Sequence, residues 1–418
     1  MDAAPVRKRG RRHLVVGSNL REVGPASGRG HDRRFYAHQM HGRGRRTERA
    51  PRSRGFVVTF SLAIPPRDGH EAATRSEIAR RLAAFTGFAY QGEYDPQRRY
   101  ATTPYFVPRD TLTSETASRI GIRNDSDLFG AVVPHPFVAT KTITHPLVDD
   151  RTQSPSGWSV EFPRRVADVV LEGFSAFAKK DALRAGCRLL KGGTVRVKPA
   201  TGIAGLGQFT VNSAMELVHA LEQIDAEEMS RSGVVIEENL VDVTTYSVGQ
   251  VRVADFVGAY YGTQCLTTNN RGAEVYGGSD ITMARGDFDT LLALRLPEDI
   301  QLAIRQARAY DRAAGECFDG FYASRRNYDI AQGRDASGRR RTGVLEQSWR
   351  LGGASGAEIV ALEAFKADPS LHTVRAIARE VYGEEPVLPA NAVVYFRGLD
   401  PVVGPLTKYA WTEQRADA

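Results

Sequence analysis

Little in this 418-residue chain offers a covalent or membrane framework. Its three cysteines, Cys187, Cys265 and Cys317, are far apart, odd in number and in no metal-ligand spacing. That usage argues against a disulfide scaffold and a cysteine-ligated metal, and it fits a reducing compartment, so a cytoplasmic location is expected. Cys187 and Cys317 fall in helical stretches, where buried structural thiols are expected. No apolar run nears the roughly 20 residues of a membrane helix. The basic N-terminal region has only Leu14-Val15-Val16 as an apolar stretch, too short for a secretory signal. The common phosphate-binding signatures are also incomplete. No Gly-Lys-Ser/Thr follows a glycine loop, and there is no full GxGxxG.

What is present is ordinary globular composition, 42% hydrophobic and 25% charged, with room for more than one core. The net charge of +7 is unevenly placed. Residues 1–55 carry fourteen Arg and one Lys against four acidic residues, a net of +11, so the remainder is near −4. The body is mildly acidic, and its charge gives no reason to expect nucleic-acid binding. Residues 1–55 lack periodicity and are expected to be a disordered basic tail. An over-extended start, with translation beginning at or after Met40, is one alternative. An arginine-rich arm for nucleic acid is another.

The chain is organised around Val195 to Phe209, VRVKPATGIAGLGQF. Val195 and Val197 share one strand face, Arg196 and Lys198 the other. Pro199 ends regular pairing, and a loop with Gly202, Gly205 and Gly207 follows. A fixed cation beside a loop of exposed N–H groups can hold a polyphosphate, although an ordinary turn would read the same way. Before it, FVVTFSL predicts a strand, and Ile78, Leu82 and Phe85 predict a helix over 69–88 ending at Gly87. Further helices are predicted over 163–170, 178–190, 215–229, 297–314, 358–365 and 371–381. Val234-Val235-Ile236 and residues 246–253, 257–263 and 393–397 read as strands. Thr267 to Ser279 reads as a polar loop, either an acceptor-side wall or plain surface.

The second informative stretch is a hairpin. Tyr328-Asp329-Ile330 and Val344 to Arg350 alternate, and Asp335, Ser337 and Gly338 lie between them. A turn centred on Ser337-Gly338 places Asp329 opposite Glu346, with Ser348 and Arg350 on the same face by period two. Two carboxylates on adjoining strands suit Mg²⁺, which prefers oxygen ligands and keeps phosphate oxygens as further ones. A structural salt bridge to Arg350 is the other reading.

In this order the pieces resemble the ATP-grasp superfamily, and more narrowly an uncharacterised bacterial family sometimes labelled biotin-carboxylase-like. The narrower likeness rests on GEYDPQRRY, VPHPFVATKTITHPL, YGTQCLTTNNRGAEVYGGSD and VLEQSWRLGGASGAE, within residues 56–400. The resemblance implies an α/β (α+β) fold with a small N-terminal domain and two subdomains sandwiching ATP. Its divisions here are a tail to residue 55, an N-terminal α/β domain over 56–135, a lysine and glycine-loop subdomain over 136–240, a metal-binding subdomain over 241–400, and a C-terminal tail over 401–418. It implies that Lys141 and Lys198 contact ATP phosphates and that the loop of Gly202, Gly205 and Gly207 closes over them. Glu237 would offer its backbone carbonyl to the adenine amino group and Leu240 its N–H to the ring, with Glu238 between them in the hinge. Asp329 and Glu346, with Ser348 beside them, would bind Mg²⁺ or Mn²⁺, and Arg350 would meet the transferring phosphate or substrate carboxylate. Ser348 stands where the family carries an asparagine, which bears on whether one metal binds or two. No charged catalytic residues follow Arg350 as they do in biotin carboxylase, and no biotin-accepting Met-Lys is present.

The activity implied is an ADP-forming ligase. A small-molecule carboxylate attacks the γ-phosphate, and an amine or thiol then displaces phosphate from the acyl phosphate. A nucleotide-binding module without turnover is the rival, and nucleic-acid binding through the basic arm is a third reading. No membrane partner is expected. A homodimer is the default expectation for assembly.

Overall fold

A computed structural model describes residues 55–62, 69–200 and 207–413. All of these belong to one of the chain's two compact units, Arg52–Ala418; the other is Met1–Pro51. The basic arm before Gly55, and with it the expectation of disorder there, lies outside the described residues. So do Gly202 and Gly205.

The first layer is β1 (Phe56–Phe60), α1 (His70–Thr86), β2 (Ala89–Glu93), β3 (Tyr105–Pro108), β4 (Leu112–Thr113), α2 (Ser114–Ile120) and β5 (Ala131–Val133). The second is α3 (Glu161–Arg165), β6 (Gly173–Ala176), α4 (Lys179–Leu189), β7 (Val195–Pro199), β8 (Phe209–Val211), α5 (Ala214–Glu222), α6 (Ala226–Ser232) and β9 (Val234–Glu238). The third is β10 (Val241–Val253), β11 (Phe256–Thr268), β12 (Glu274–Arg285), α7 (Phe288–Leu292), α8 (Glu298–Cys317), β13 (Tyr322–Ala323), β14 (Arg325–Arg334), β15 (Arg340–Ser348), α9 (Ser355–Ala367), β16 (Thr373–Tyr382), β17 (Val393–Asp400) and β18 (Gly404–Glu413).

These strands make a parallel β2-β1-β3 sheet, a small β13-β5-β4 sheet, a four-stranded β6-β9-β7-β8 sheet and an eight-stranded antiparallel sheet ordered β15-β14-β10-β11-β12-β16-β18-β17. The four-stranded sheet has its own core of Val195, Val197, Val211, Leu217, Val234 and Ile236. One face of the large sheet packs on α8 through Tyr246, Val248, Tyr310, Tyr328 and Ile330. The other packs on α9 and α1, where Val57, Ile78 and Leu82 join Ile281, Met283, Ala357 and Phe365 in one cluster. The N-terminal α/β unit thus shares one side of its sheet with the large sheet, and keeps a second cluster of its own in Val58, Phe60, Phe106, Leu112, Leu128 and Val132. Sheet β13-β5-β4 also crosses the expected boundary at residue 135, because β13 pairs with β5.

Local chemistry explains most elements. Helix α1 ends where Gly87 turns left-handed, φ 74°. Pro297, with its φ preset, precedes α8. Other expectations need correction. The helix expected over 215–229 is two helices, because Asp225 caps α6 by accepting from the Glu228 N–H. The 163–170 stretch supports only α3 and a short 3₁₀ turn. Residues 371–381 form not a helix but strand β16, held between β12 and β18, with Val374, Ala376 and Ala378 turned inward. Their pattern allows either period, and two waiting strand partners decide for the strand.

Thr267–Ser279 is not a broad loop. β11 and β12 run through it to a tight tip, and the Asn270 amide donates to the Val403 and Pro405 carbonyls at 2.6 and 2.9 Å. The expected C-terminal tail contains β18, an inner strand. Cys187 is exposed, and Cys265 and Cys317 are half-buried, so the helical thiols are not core residues.

Candidate active site

The site forms where the four-stranded sheet meets the β10-β14-β15 side of the large sheet. Lys198 lies on β7 on the face opposite Val197, as alternation predicts, yet it is only 3% exposed. Its Nζ sits 2.5 Å from Glu237 Oε1 on the adjoining β9. Glu237 Oε2 lies 3.2 Å from His145 Nε2. Glycine at 173 makes room for that imidazole, since a Cβ there would come within 2.8 Å of the ring. Burial by itself would raise the Glu237 pKa, but Lys198 and His145 outweigh it and hold the carboxyl at about 2. Burial lowers the Lys198 pKa against the pull of Glu237, and the charge of Lys141 lowers it further.

The side chain of Glu237 is thus fully engaged, and its carbonyl is turned inward. The Asn239 N–H donates to Thr194 beside β7, and the Glu238 N–H donates to Glu172 beside β6. Backbone groups on alternate strand residues point the same way, so the Glu237 carbonyl faces its register partner Arg196. The expectation that it serves an adenine is not met. Glu238 is the residue whose carbonyl points to the β6 side, where the Glu172 N–H bonds the Glu238 carboxylate instead, at 3.1 Å. Arg341 pairs with the same carboxylate at 2.6 Å. Leu240 is buried with Leu171 and Ala331, against Leu345, in a small apolar cluster beside that hinge.

The hairpin brings Asp329 opposite Glu346, as the sequence predicts. The pairs near the turn centre on Ser337 alone, as Arg334 with Arg340 shows. A bulge at Leu345 shifts the register by one and restores the Asp329–Glu346 pair. Lys141, in the 3₁₀ turn Lys141–Thr144, reaches across to Glu346 at 2.5 Å and is 4% exposed. The partner of Glu346 is therefore Lys141, not Arg350. Strand β15 stops at Ser348, so period two does not extend to Arg350, whose guanidinium turns to the Leu351 carbonyl at 3.2 Å. Gly207 has φ +74° with open space around it, as a loop glycine needs.

Sequence reasoning missed the buried groups around the pair. Asp329 Oδ1 accepts from Gln264 Nε2 at 2.8 Å and Asn327 Nδ2 at 3.0 Å, with Ser247 Oγ at 3.2 Å. Asn327 stands opposite Ser348, and its Oδ1 is 2.8 Å from the Tyr260 hydroxyl. Tyr260 also bonds Glu358 at 2.6 Å, and Glu358 and Arg325 form an ion pair 0% and 1% exposed. The alternation of Arg325, Asn327 and Asp329 was a readable signal for one polar face. Nothing local marks Glu358 as its partner.

The carboxylate pair fits a divalent cation. Burial first, and then the charge of Glu346, push Asp329 up to about 6. The oxygen-only donors suit Mg²⁺ rather than a softer metal. Among the described residues no cluster of three or more His, Cys, Asp or Glu could hold a metal, so the two carboxylates would share the ion with other oxygens such as those of phosphate, water or the Ser348 hydroxyl.

A lysine-bearing sheet facing a carboxylate-bearing antiparallel sheet across a hinge is the arrangement that the resemblance to the ATP-grasp superfamily implies. The chain belongs to the family described as "Protein of unknown function (DUF3182)", whose profile matches residues 59–410. No curated protein matches the sequence. Among solved structures it is similar to phosphoribosylamine–glycine ligase from Thermotoga maritima, at 16% identity and TM-score 0.47, covering 85% of this chain and 91% of that one. It is also similar to carboxyaminoimidazole ribonucleotide synthase from Aspergillus clavatus complexed with ATP, at 14% identity and TM-score 0.45 over 85% and 93% of the two chains. D-alanine–D-alanine ligase from Bacillus anthracis complexed with ATP is a third, at 13% identity and TM-score 0.44 over 75% and 92%.

Proposed function

We propose that this protein is an ATP- and Mg²⁺-dependent ligase that activates a small-molecule carboxylate and joins it to an amine or thiol. The observation that carries this reading is the Asp329–Glu346 pair in register across a hairpin, with Lys141 buried on Glu346 and Lys198 buried on Glu237 of the four-stranded sheet. Residues 136–240 supply Lys141, Lys198 and the hinge, and residues 241–400 supply the carboxylates. Adenine would lie against the cluster of Leu171, Leu240 and Leu345, with the Glu238 carbonyl taking the acceptor role first expected of Glu237. The Leu240 N–H would be the donor to the ring.

Lys141 and Lys198 would leave their carboxylates to hold phosphate oxygens, and Asp329 and Glu346 would hold the cation. When bound, Mg²⁺ supplies charge neutralisation at the phosphates. Arg350 is assigned to the substrate carboxylate or transferring phosphate. Catalysis by this chain is then positioning and charge stabilisation of an in-line transfer. The glycine loop is assigned to shielding the acyl phosphate from water.

The test is Mg²⁺-dependent ADP release across a panel of carboxylic acids with amines and thiols. Glu346→Ala and Lys198→Ala are expected to lower turnover at least a hundredfold, a loss of about 2.7 kcal/mol of transition-state stabilisation. Lys198→Ala leaves Glu237 buried without its cation, so Lys198→Ala/Glu237→Gln is the folded control. A native protein that binds no ATP and loses nothing on these changes removes the ligase reading. Binding without turnover on any acceptor makes it a nucleotide-binding module.

A further inference from the structure

Within the cation site proposed above, the decisive observation is asymmetry. The three polar side chains around Asp329 converge on one of its oxygens: Gln264 at 2.8 Å, Asn327 at 3.0 Å and Ser247 at 3.2 Å all address Oδ1. No hydrogen bond to Oδ2 is recorded among the described residues. A carboxylate with one oxygen tied back cannot rotate, and it presents the other oxygen in a fixed direction. Glu346, its register partner on the adjoining strand, is the carboxylate that pairing sets beside it.

Asn327 is itself fixed. Rotating its amide by 180° would set Oδ1 against the Asp329 carboxylate, so Nδ2 faces Asp329 and Oδ1 faces the Tyr260 and Ser247 hydroxyls, at 2.8 and 3.1 Å. The Tyr260 hydroxyl reaches Oδ1 only because the residue between them is glycine. Asn327 and Tyr260 both pair with Gly249, and a Cβ at 249 would come within 2.3 Å of the Tyr260 ring. Beyond Tyr260 the chain of contacts ends on the Glu358–Arg325 pair, and Arg325 also bonds the Ser348 carbonyl at 2.9 Å. Arg325 thus engages the backbone of Ser348. The Ser348 hydroxyl makes no hydrogen bond among the described residues.

We propose that Asn327 and Gln264 are positioning residues for the metal carboxylate Asp329, and that the amide of Asn327, rather than the Ser348 hydroxyl opposite it, completes this site. The cation is held by Asp329 Oδ2 and Glu346, and the amides act through Oδ1 without touching it. This rests on the proposed function, and the experiment separates the two. Mn²⁺ is titrated into the full-length protein, alone and with ADP, and free Mn²⁺ is read by its EPR signal. Glu346→Gln reports on the proposed function; Asn327→Ala, Gln264→Ala and Ser348→Ala report on the inference.

Loss of an amide that orients a ligating carboxylate is expected to weaken Mn²⁺ by roughly tenfold to a hundredfold. The expected result is such a loss in both amide variants, with a smaller one in Ser348→Ala. Gln264 is half-buried at the cleft, so its truncation tests the idea even if Asn327→Ala folds poorly. If Glu346→Gln abolishes binding while the amide variants bind like native protein, or if Ser348→Ala loses more than Asn327→Ala, the positioning role is overturned. If native protein binds no Mn²⁺ in either condition, the cation site fails and this inference with it.

Discussion

Glu237 concentrates the electrostatics of the site in one residue. It is 1% exposed, and Lys198 and His145 hold its pKa near 2 against the effect of burial. An unfolded glutamate titrates near ~4.3. The folded pKa is the lower one, so its stabilisation is complete above the unfolded value and is lost as pH falls toward 2. Two units and a little more correspond to about 3 kcal/mol. Urea unfolding measured between pH 6 and pH 2.5 should show native protein losing about 2 kcal/mol more stability than Glu237→Gln, most of the full difference. Equal slopes in the two proteins would remove the ion pair from the account.

Position 249 carries an argument at the scale of the element. Strand β10 lies between β11 and β14, and glycine lets Tyr260 lean across it. In Gly249→Ala the new methyl meets the Tyr260 ring at 2.3 Å and the Arg326 carbonyl at 2.5 Å. Backbone cannot yield cheaply, so a loss of about 1–3 kcal/mol is expected from the urea midpoint. A neutral substitution would mean that the strands can part there at no cost. The hairpin of β14 and β15 was legible because its turn residues have a mechanism: Asp335 accepts from the Ser337 and Arg339 N–H groups, and Gly338 takes φ +80°. The bulge at Leu345 was not legible, since the residue packs partly on Leu171 and Leu240, which are remote in sequence. Strand β16 was misread for a related reason, its period being ambiguous until β12 and β18 are in place.

At the scale of the whole molecule, the chain closes on itself late. β18 pairs with β16 on one side and β17 on the other, and it brings Leu406 and Ala410 into the interior. Ending the chain at residue 403 should therefore abolish cooperative unfolding by calorimetry. A cooperative transition in the shorter chain would mean that the large sheet is complete without β18. The N-terminal unit is tied to α9 and to the end of β17. Arg81 pairs with Glu363 at 2.9 Å, Lys366 donates to the Ala84 and Phe85 carbonyls, and the His70 N–H donates to Asp400 at 2.8 Å.

The sequence by itself determined the periods and breaks of most strands and helices, the opposed carboxylates of the hairpin, and the face on which Lys198 stands. Each is a consequence of alternation, capping or turn chemistry over a few residues. Only the tertiary structure decided that Lys141 sits on Glu346, that His145 and Lys198 share Glu237, and that Asn327, Gln264 and Ser247 hold one oxygen of Asp329. Buried charges and amides must find partners wherever the packed sheets bring them, and those partners lie on elements that no local pattern connects.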